Sequence, residues 1–567
     1  MWSSNSRIID AKLAQRTQEL HEGGRSASLS TEDSIYLRAT ATEIVSHIEK
    51  GRWTASYVLE AYIKRAVYAH EQTNCLTEVF FPRARKQAAE LDAEFILTKK
   101  LRGPLHGVPV SIKDQFKIEG VDNSIGFSQW LNKPAERNAD IVNLLIAAGA
   151  IIYVKTNVPQ TMFAFECSNP VFGRTTNPYN DGYTSGGSSG GEAALLAMDG
   201  SAIGIGSDIG GSLRIPAAYC GVYSLKPAGG RVSYIGACGP TPGFDGIVSV
   251  AGPMGRSVKD LEIVSRIIFG QGTDTSLPPI PFRDVEIPKR LKFGYYTSDK
   301  YIKASPACQR AVFETIERLR EAGHECVQIE FPDAPHTAEL FVGLTSADGY
   351  KTMLSHIGPD KRENALFLST LGPRLPGPIR RLAAWLAERI LGDEIFAGAM
   401  RMSHAITLTD YWKLLHEKRE CIQRFHDEIW VKHDLDAIIA PVQAMPQLPH
   451  GGCDNFIALA ASTFVYNLLD LPVGCIPVTR VDAQKDVVLD EWWGGSDHGS
   501  PMMENGLFKG DKPLYKPESL HGMPVSIQIV GKKWEEEKLL GVMGVVDGVL
   551  GERGFGPGAW EISKEAK

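Results

Sequence analysis

Four glycines and three serines follow one threonine in the eight residues TSGGSSGG (Thr184–Gly191), and a second such cluster, IGGS, follows at Ile209–Ser212. A serine hydroxyl is a weak nucleophile at neutral pH. It becomes useful when a base takes its proton and N–H donors receive the oxyanion. Glycine-rich backbone can approach a ligand closely enough to supply those donors. Treated as one site, the two clusters make Ser212 a nucleophile beside its own backbone donors. If no histidine serves, the base has to be a lysine whose burial drives its pKa towards neutrality. Lys113, at the end of the apolar stretch LHGVPVSIKD (Leu105–Asp114), is the candidate.

Other chemistries fit the same residues less well. A flexible Gly/Ser linker would not run straight into EAALLAMDG and the core-like SAIGIGSDIGGSLRIPAAYCGVYSLKP. A Walker A loop needs a lysine that is missing here. The run GIGSDIGG opens with G-x-G at Gly204 and Gly206 but puts Ile209 where a dinucleotide fingerprint needs its third glycine. Gly186 to Gly190 satisfies G-x-S-x-G around Ser188, which leaves an esterase-like hydrolase with Ser188 as nucleophile as the alternative. That reading needs a strand just before the serine. The preceding segment, RTTNPYNDGYTS, is not strand-like, and neither His324 nor His521 has a distinctive setting.

The elements that must hold these residues alternate between helix and strand. EIVSHIEKG and SYVLEAYIKRAVYAH read as helices, with Gly51 ending the first and Thr54 or Ser56 capping the second. LHGVPVSIKD alternates as a strand does. In NADIVNLLIAAGAIIYVKTN, Asn138 caps a helix over 141–148, Gly149 stops it, and 150–154 is a buried strand. The grammar returns in PACQRAVFETIERLREAGHECVQIEFP, in DLPVGCIPVT and in MPVSIQIVG, which a helix from about Trp534 to Val549 follows. The pattern predicts an α/β fold: a large mixed β-sheet flanked by helices on both faces. Residues 1–75 form a helical N-terminal region and 76–560 the α/β domain. The latter includes a helical lobe at about 336–430 and a long surface loop at about 482–519 that carries Trp492-Trp493.

Composition narrows the function further. A net charge of −7, with no basic patch, disfavours a nucleic-acid partner. Nine scattered cysteines without a C-x-x-C pair predict reduced thiols, with no zinc site and no disulfide frame. No run nears the ~20 apolar residues of a membrane span, and the N-terminus lacks the apolar region of a secretory signal. These features predict a soluble cytoplasmic protein, and no metal or cofactor is expected.

The stretch from Gly186 to Pro227 resembles the signature of the amidase signature family of Ser-Ser-Lys amide hydrolases. LHGVPVSIKDQF is similar to the family's lysine strand. NPVFGRTTNPYN, AGAIIYVKTNVPQ, NLLDLPVGCIPVT and GMPVSIQIVG resemble other family segments, so the likeness runs from about residue 40 to 550. AHEQTNCLTEVFF and the Trp492 region look most like the fungal acetamidase-type branch. The resemblance implies Ser212 as nucleophile, Ser188 as bridging serine after a cis Gly187–Ser188 peptide, and Lys113 as base. It implies the amides of Ile209, Gly210, Gly211 and Ser212 as oxyanion hole, Asp208 and Arg214 as supporting groups, and Met162, with Phe163 beside it, at the substrate. The implied substrate is a small-molecule amide. The family also includes glutaminase subunits of amidotransferases, a second alternative, and a homodimer is the common assembly default.

Overall fold

The strand expected around Lys113 forms at Pro109–Lys113. The helix and strand after it fall at Asp140–Ala147 and Ile151–Thr156. These elements belong to a computed structural model that describes residues 4–22 and 30–565. Thr54 is the N-cap of Ala55–Thr73, its side chain accepting from the Tyr57 amide. Asn138 is not a cap: Ala139 occupies that position, and the Asn138 side chain accepts from the Glu119 amide instead. The late helix begins at Glu536 rather than Trp534, because Trp534 adopts a left-handed φ of 71° that an α-helix cannot include.

Eleven strands build the main sheet. In chain order they are β1 (Leu76–Val79), β2 (Pro109–Lys113), β3 (Ile151–Thr156), β4 (Ile203–Asp208), β5 (Tyr223–Lys226) and β6 (Val250–Gly255), then β7 (Lys292–Tyr295), β8 (Glu325–Gln328), β9 (Ala437–Pro441), β10 (Val473–Arg480) and β11 (Pro524–Val530). Their spatial order is β1-β3-β2-β4-β6-β5-β10-β11-β9-β7-β8. The sheet is mixed. β2 runs parallel to both β3 and β4, while β4–β6 and β10–β11 are antiparallel. Every residue of β2, β3, β4, β6, β9 and β11 is buried. Both faces of the sheet's centre are therefore covered, as expected for strands with near-continuous apolar runs.

Helices crowd the segment between β8 and β9, with Ala334–Thr345, Gly377–Arg389, Glu394–Met402 and Leu408–Phe425 the longest. The 482–519 segment departs from a surface loop. It contains the helix Pro501–Phe508, and Trp492 is only 8% exposed. The Trp492 indole donates to the Ala304 carbonyl at 3.1 Å, and the Lys303 ammonium sits 4.9 Å from its ring centre and 2.7 Å from Asp497. Polar composition disguised buried anchors that are satisfied by partners far away in the chain.

Candidate active site

Side chains alternate along a strand, so Val110 and Ile112 share one face of β2 while Ser111 and Lys113 share the other. Ser111 Oγ donates to Glu192 at 2.6 Å, which turns that polar face towards the helix Gly190–Ala197. Lys113 therefore emerges at the carboxyl end of β2. Its parallel neighbour β4 delivers Ser207 and Asp208 to the same edge. Carboxyl ends of parallel strands are where α/β sheets gather ligands.

Lys113 Nζ lies 2.7 Å from Ser188 Oγ and 2.8 Å from Ser207 Oγ, and the lysine is fully buried. Burial lowers its pKa to about 7, against the opposing pull of Asp208. The Gly187–Ser188 peptide is cis. The serine loop is stitched to the second cluster: the Ser189 amide donates to the Ser212 carbonyl at 3.2 Å. Gly186 has φ 78°, and a Cβ there would come within 2.8 Å of the Pro216 Cα, so only glycine lets the two clusters approach.

Asp208 shapes the second cluster. Its carboxylate accepts from the Gly211 amide at 2.8 Å and the Leu213 amide at 3.0 Å, and it pairs with Arg214 at 3.0 Å. Burial alone would raise this carboxyl, but the Arg214 guanidinium outweighs it and holds the group well below the usual carboxylate range. Arg214 is itself anchored by the Thr463 carbonyl and Asn467. Gly211, at φ 126°, makes the turn. Because its N–H is committed to Asp208, Gly211 is not a free oxyanion donor. Among the described residues, the amides of Ile209, Gly210 and Ser212 donate to no protein acceptor.

Ser212 stands where two cavities meet. One, of about 180 Å³, is walled by apolar side chains including Phe165, Ile215, Phe341 and Phe464. The other, of about 1010 Å³, is lined by Gln115, Ser188, Ser207 and Tyr234 and carries Asp245, Asp274 and Asp348. Met162, Phe163 and Ile209 border both. Thr161 and Met162 hold left-handed φ values of 66° and 57° at this shared lip, an uncommon conformation for non-glycine residues. The Phe341 and Phe464 rings stack 4.1 Å apart beside Gly210.

Sequence reasoning did not single out Ser207, Gln115, Tyr234 or the Phe341–Phe464 pair. Ser207 immediately precedes Asp208, and its place on a strand parallel to the lysine strand was the available signal. The aromatic pair carries no local signal, since its members come from distant helices. Among the described residues, no group of three or more His, Cys, Asp or Glu is arranged to hold a metal ion, all nine cysteines are free, and no helix is long and apolar enough to cross a membrane.

A mixed sheet presenting a buried lysine to a serine loop defines an α/β serine hydrolase without a histidine at its centre. The amidase family's sequence pattern matches residues 57–540. Fatty-acid amide hydrolase 1 of Sus scrofa is 32% identical over 97% of this chain and 94% of its own. Acetamidase of Emericella nidulans is 32% identical over 93% of this chain and 92% of its own. A solved fatty acid amide hydrolase structure superposes with a TM-score of 0.81 at 27% identity, covering 96% of this chain and 90% of that one. The chain belongs to the amidase family, hydrolases of amide C–N bonds.

Proposed function

We propose that the chain hydrolyses carboxylic amides through an acyl-enzyme on Ser212, with Ser188 and Lys113 moving the proton. The observation that carries this reading is the contact between the Lys113 amine and Ser188 Oγ at 2.7 Å, in a site dry enough to bring the lysine pKa to about 7. Neutral Lys113 takes the Ser188 proton as Ser188 takes that of Ser212, and Ser212 Oγ bonds to the carbonyl carbon. The oxyanion falls to the free amides of Ile209, Gly210 and Ser212. Collapse breaks the C–N bond while the proton returns through Ser188 to the leaving amine. Water then attacks the ester by the same relay and releases the acid.

The apolar cavity suits the acyl group and the polar one the amine. A cavity of about 150 Å³ holds benzene, so about 180 Å³ supports an acyl group of aryl or medium-chain size. That lies between the ranges suggested by the names acetamidase and fatty-acid amide hydrolase. Nine free cysteines support a reducing, cytoplasmic setting. The esterase alternative finds no support, because no histidine lines either cavity.

Ser212→Ala tests the reading. Turnover of a benzamide- or hexanamide-type substrate should fall roughly 10⁶-fold with an unchanged thermal midpoint, and a slow substrate should leave the acyl mass on Ser212 of the unsubstituted protein. Retained turnover in Ser212→Ala would falsify the assignment.

A further inference from the structure

A chain of hydrogen bonds leads from Lys113 into the polar cavity by a route that excludes Ser188. Lys113 Nζ contacts Ser207 Oγ at 2.8 Å, and the Ser207 hydroxyl donates to Gln115 Oε1. Gln115 Nε2 donates to the Tyr234 hydroxyl at 2.5 Å, and that hydroxyl lies 2.8 Å from Ser249 Oγ. Ser207 and Gln115 are buried. The Gln115 backbone is also pinned, its carbonyl accepting from the Asn123 side chain at 2.9 Å and from the Cys238 amide at 3.0 Å.

The bookkeeping of protons gives this chain a direction. A serine hydroxyl has one proton to donate, a glutamine oxygen only accepts and its nitrogen only donates. With its proton committed to Gln115, Ser207 can only accept from Lys113. A neutral amine has two N–H groups and one lone pair. One N–H is engaged by Ser207, which leaves the lone pair for the Ser188 hydroxyl. Were the Gln115 amide reversed or missing, Ser207 would be free to donate into that lone pair and compete with Ser188.

We propose that Gln115, oriented by Tyr234, is a positioning residue that fixes the Ser207 hydroxyl as an acceptor and so presents the Lys113 lone pair to Ser188. This rests on the Ser212–Ser188–Lys113 reading above. Gln115 borders the polar cavity, but in this scheme it bonds neither the reacting serine nor the scissile amide and acts on the relay through Ser207. The ionisable groups that bear on Lys113 are Asp208, Cys167 and Glu192, and none of them is altered by substitutions at Gln115.

The test measures, across pH, the rate at which a fluorophosphonate labels the full-length protein. Labelling forms a bond from Ser212 Oγ to phosphorus, expels fluoride and sends the serine proton through Ser188 to Lys113, so it needs no knowledge of the natural amide. Gln115→Leu should lose about ten- to a hundredfold of the plateau rate with an unchanged thermal midpoint. Gln115→Glu still accepts the Ser207 proton and adds a negative charge near the amine. It should keep a plateau near that of the unsubstituted protein, reached at higher pH. A loss in both variants alike, in neither, or in Gln115→Glu alone overturns the proposal. If Gln115→Leu does not fold, Tyr234→Phe serves: it removes the acceptor that orients the amide and should lower the plateau several-fold, and an undiminished rate there overturns the proposal. Undiminished labelling of Ser212→Ala would instead overturn the nucleophile assignment, a result distinguishable from any behaviour of Gln115.

Discussion

The two cavities that meet at Ser212 are built in opposite ways. The smaller is closed by aromatic and aliphatic side chains, and its stacked Phe341 and Phe464 come from helices on either side of the sheet's β9 strand in sequence. The larger is lined by hydroxyl, amide and carboxylate groups, and its charged residues, Asp245, Asp274 and Asp348, have no ion-pair partner among the described residues. An amide has one half to bury and one half to release as an amine. Under the proposed function, the contrast assigns selection of the acyl half to shape and hydrophobic area and leaves electrostatics to act on the amine half. The proposed proton relay sits at the seam, where Lys113 is fully buried yet its partners Ser188 and Ser207 border the polar side.

Four measurements would break or sharpen this division. The largest effect belongs to the seam. Lys113→Ala should cost about 10²–10⁴-fold in kcat whichever acyl group is offered, and a loss confined to one substrate class would mean that the lysine serves a cavity rather than the relay. Next comes pH. Lys113 is lowered from its ordinary value to about 7 by burial, so the base is neutral above that value and protonated below it. The kcat/KM should fall as pH drops through 7, about tenfold per unit, and a rate profile level down to pH 5 would contradict the relay. Phe464→Leu removes one ring of the stack and should lower kcat/KM for aryl amides about two- to tenfold while leaving acetamide nearly untouched. Equal losses for both would deny the apolar cavity its role in acyl selection. Smallest of all, Asp348→Asn should reduce, by a few-fold at low salt, any preference for amides of cationic amines, and added salt should erase the difference. A salt-independent effect would remove electrostatics from the polar side.

Legibility in the sequence followed how local each feature is. The Gly–Ser clusters and the lysine strand are each contiguous, so their composition put a lysine-activated Ser212 beside an esterase-like Ser188 as the candidate chemistries, and the resemblance to the amidase signature chose between them. The alternating segments likewise gave the α/β sheet and most of its strands. The 482–519 segment misled, because its charged and glycine-rich surface hid Trp492 and the helix Pro501–Phe508. Asn138 misled for a related reason: its side chain found a better acceptor role with the distant Glu119 amide than at the helix it precedes.

The residue types at 113, 188 and 212, and the glycines that let their loops approach, were fixed by the chain's own order, as was membership of the family. Only the folded molecule decided that Gly211 spends its amide on Asp208, that Ser207 and Gln115 set the polarity around the lysine, and that two unlike cavities open on either side of one serine. Hydrogen-bond commitments and cavity walls are made by groups tens to hundreds of residues apart. Each depends on which groups the fold brings within reach of one another, and no local pattern of residues records that.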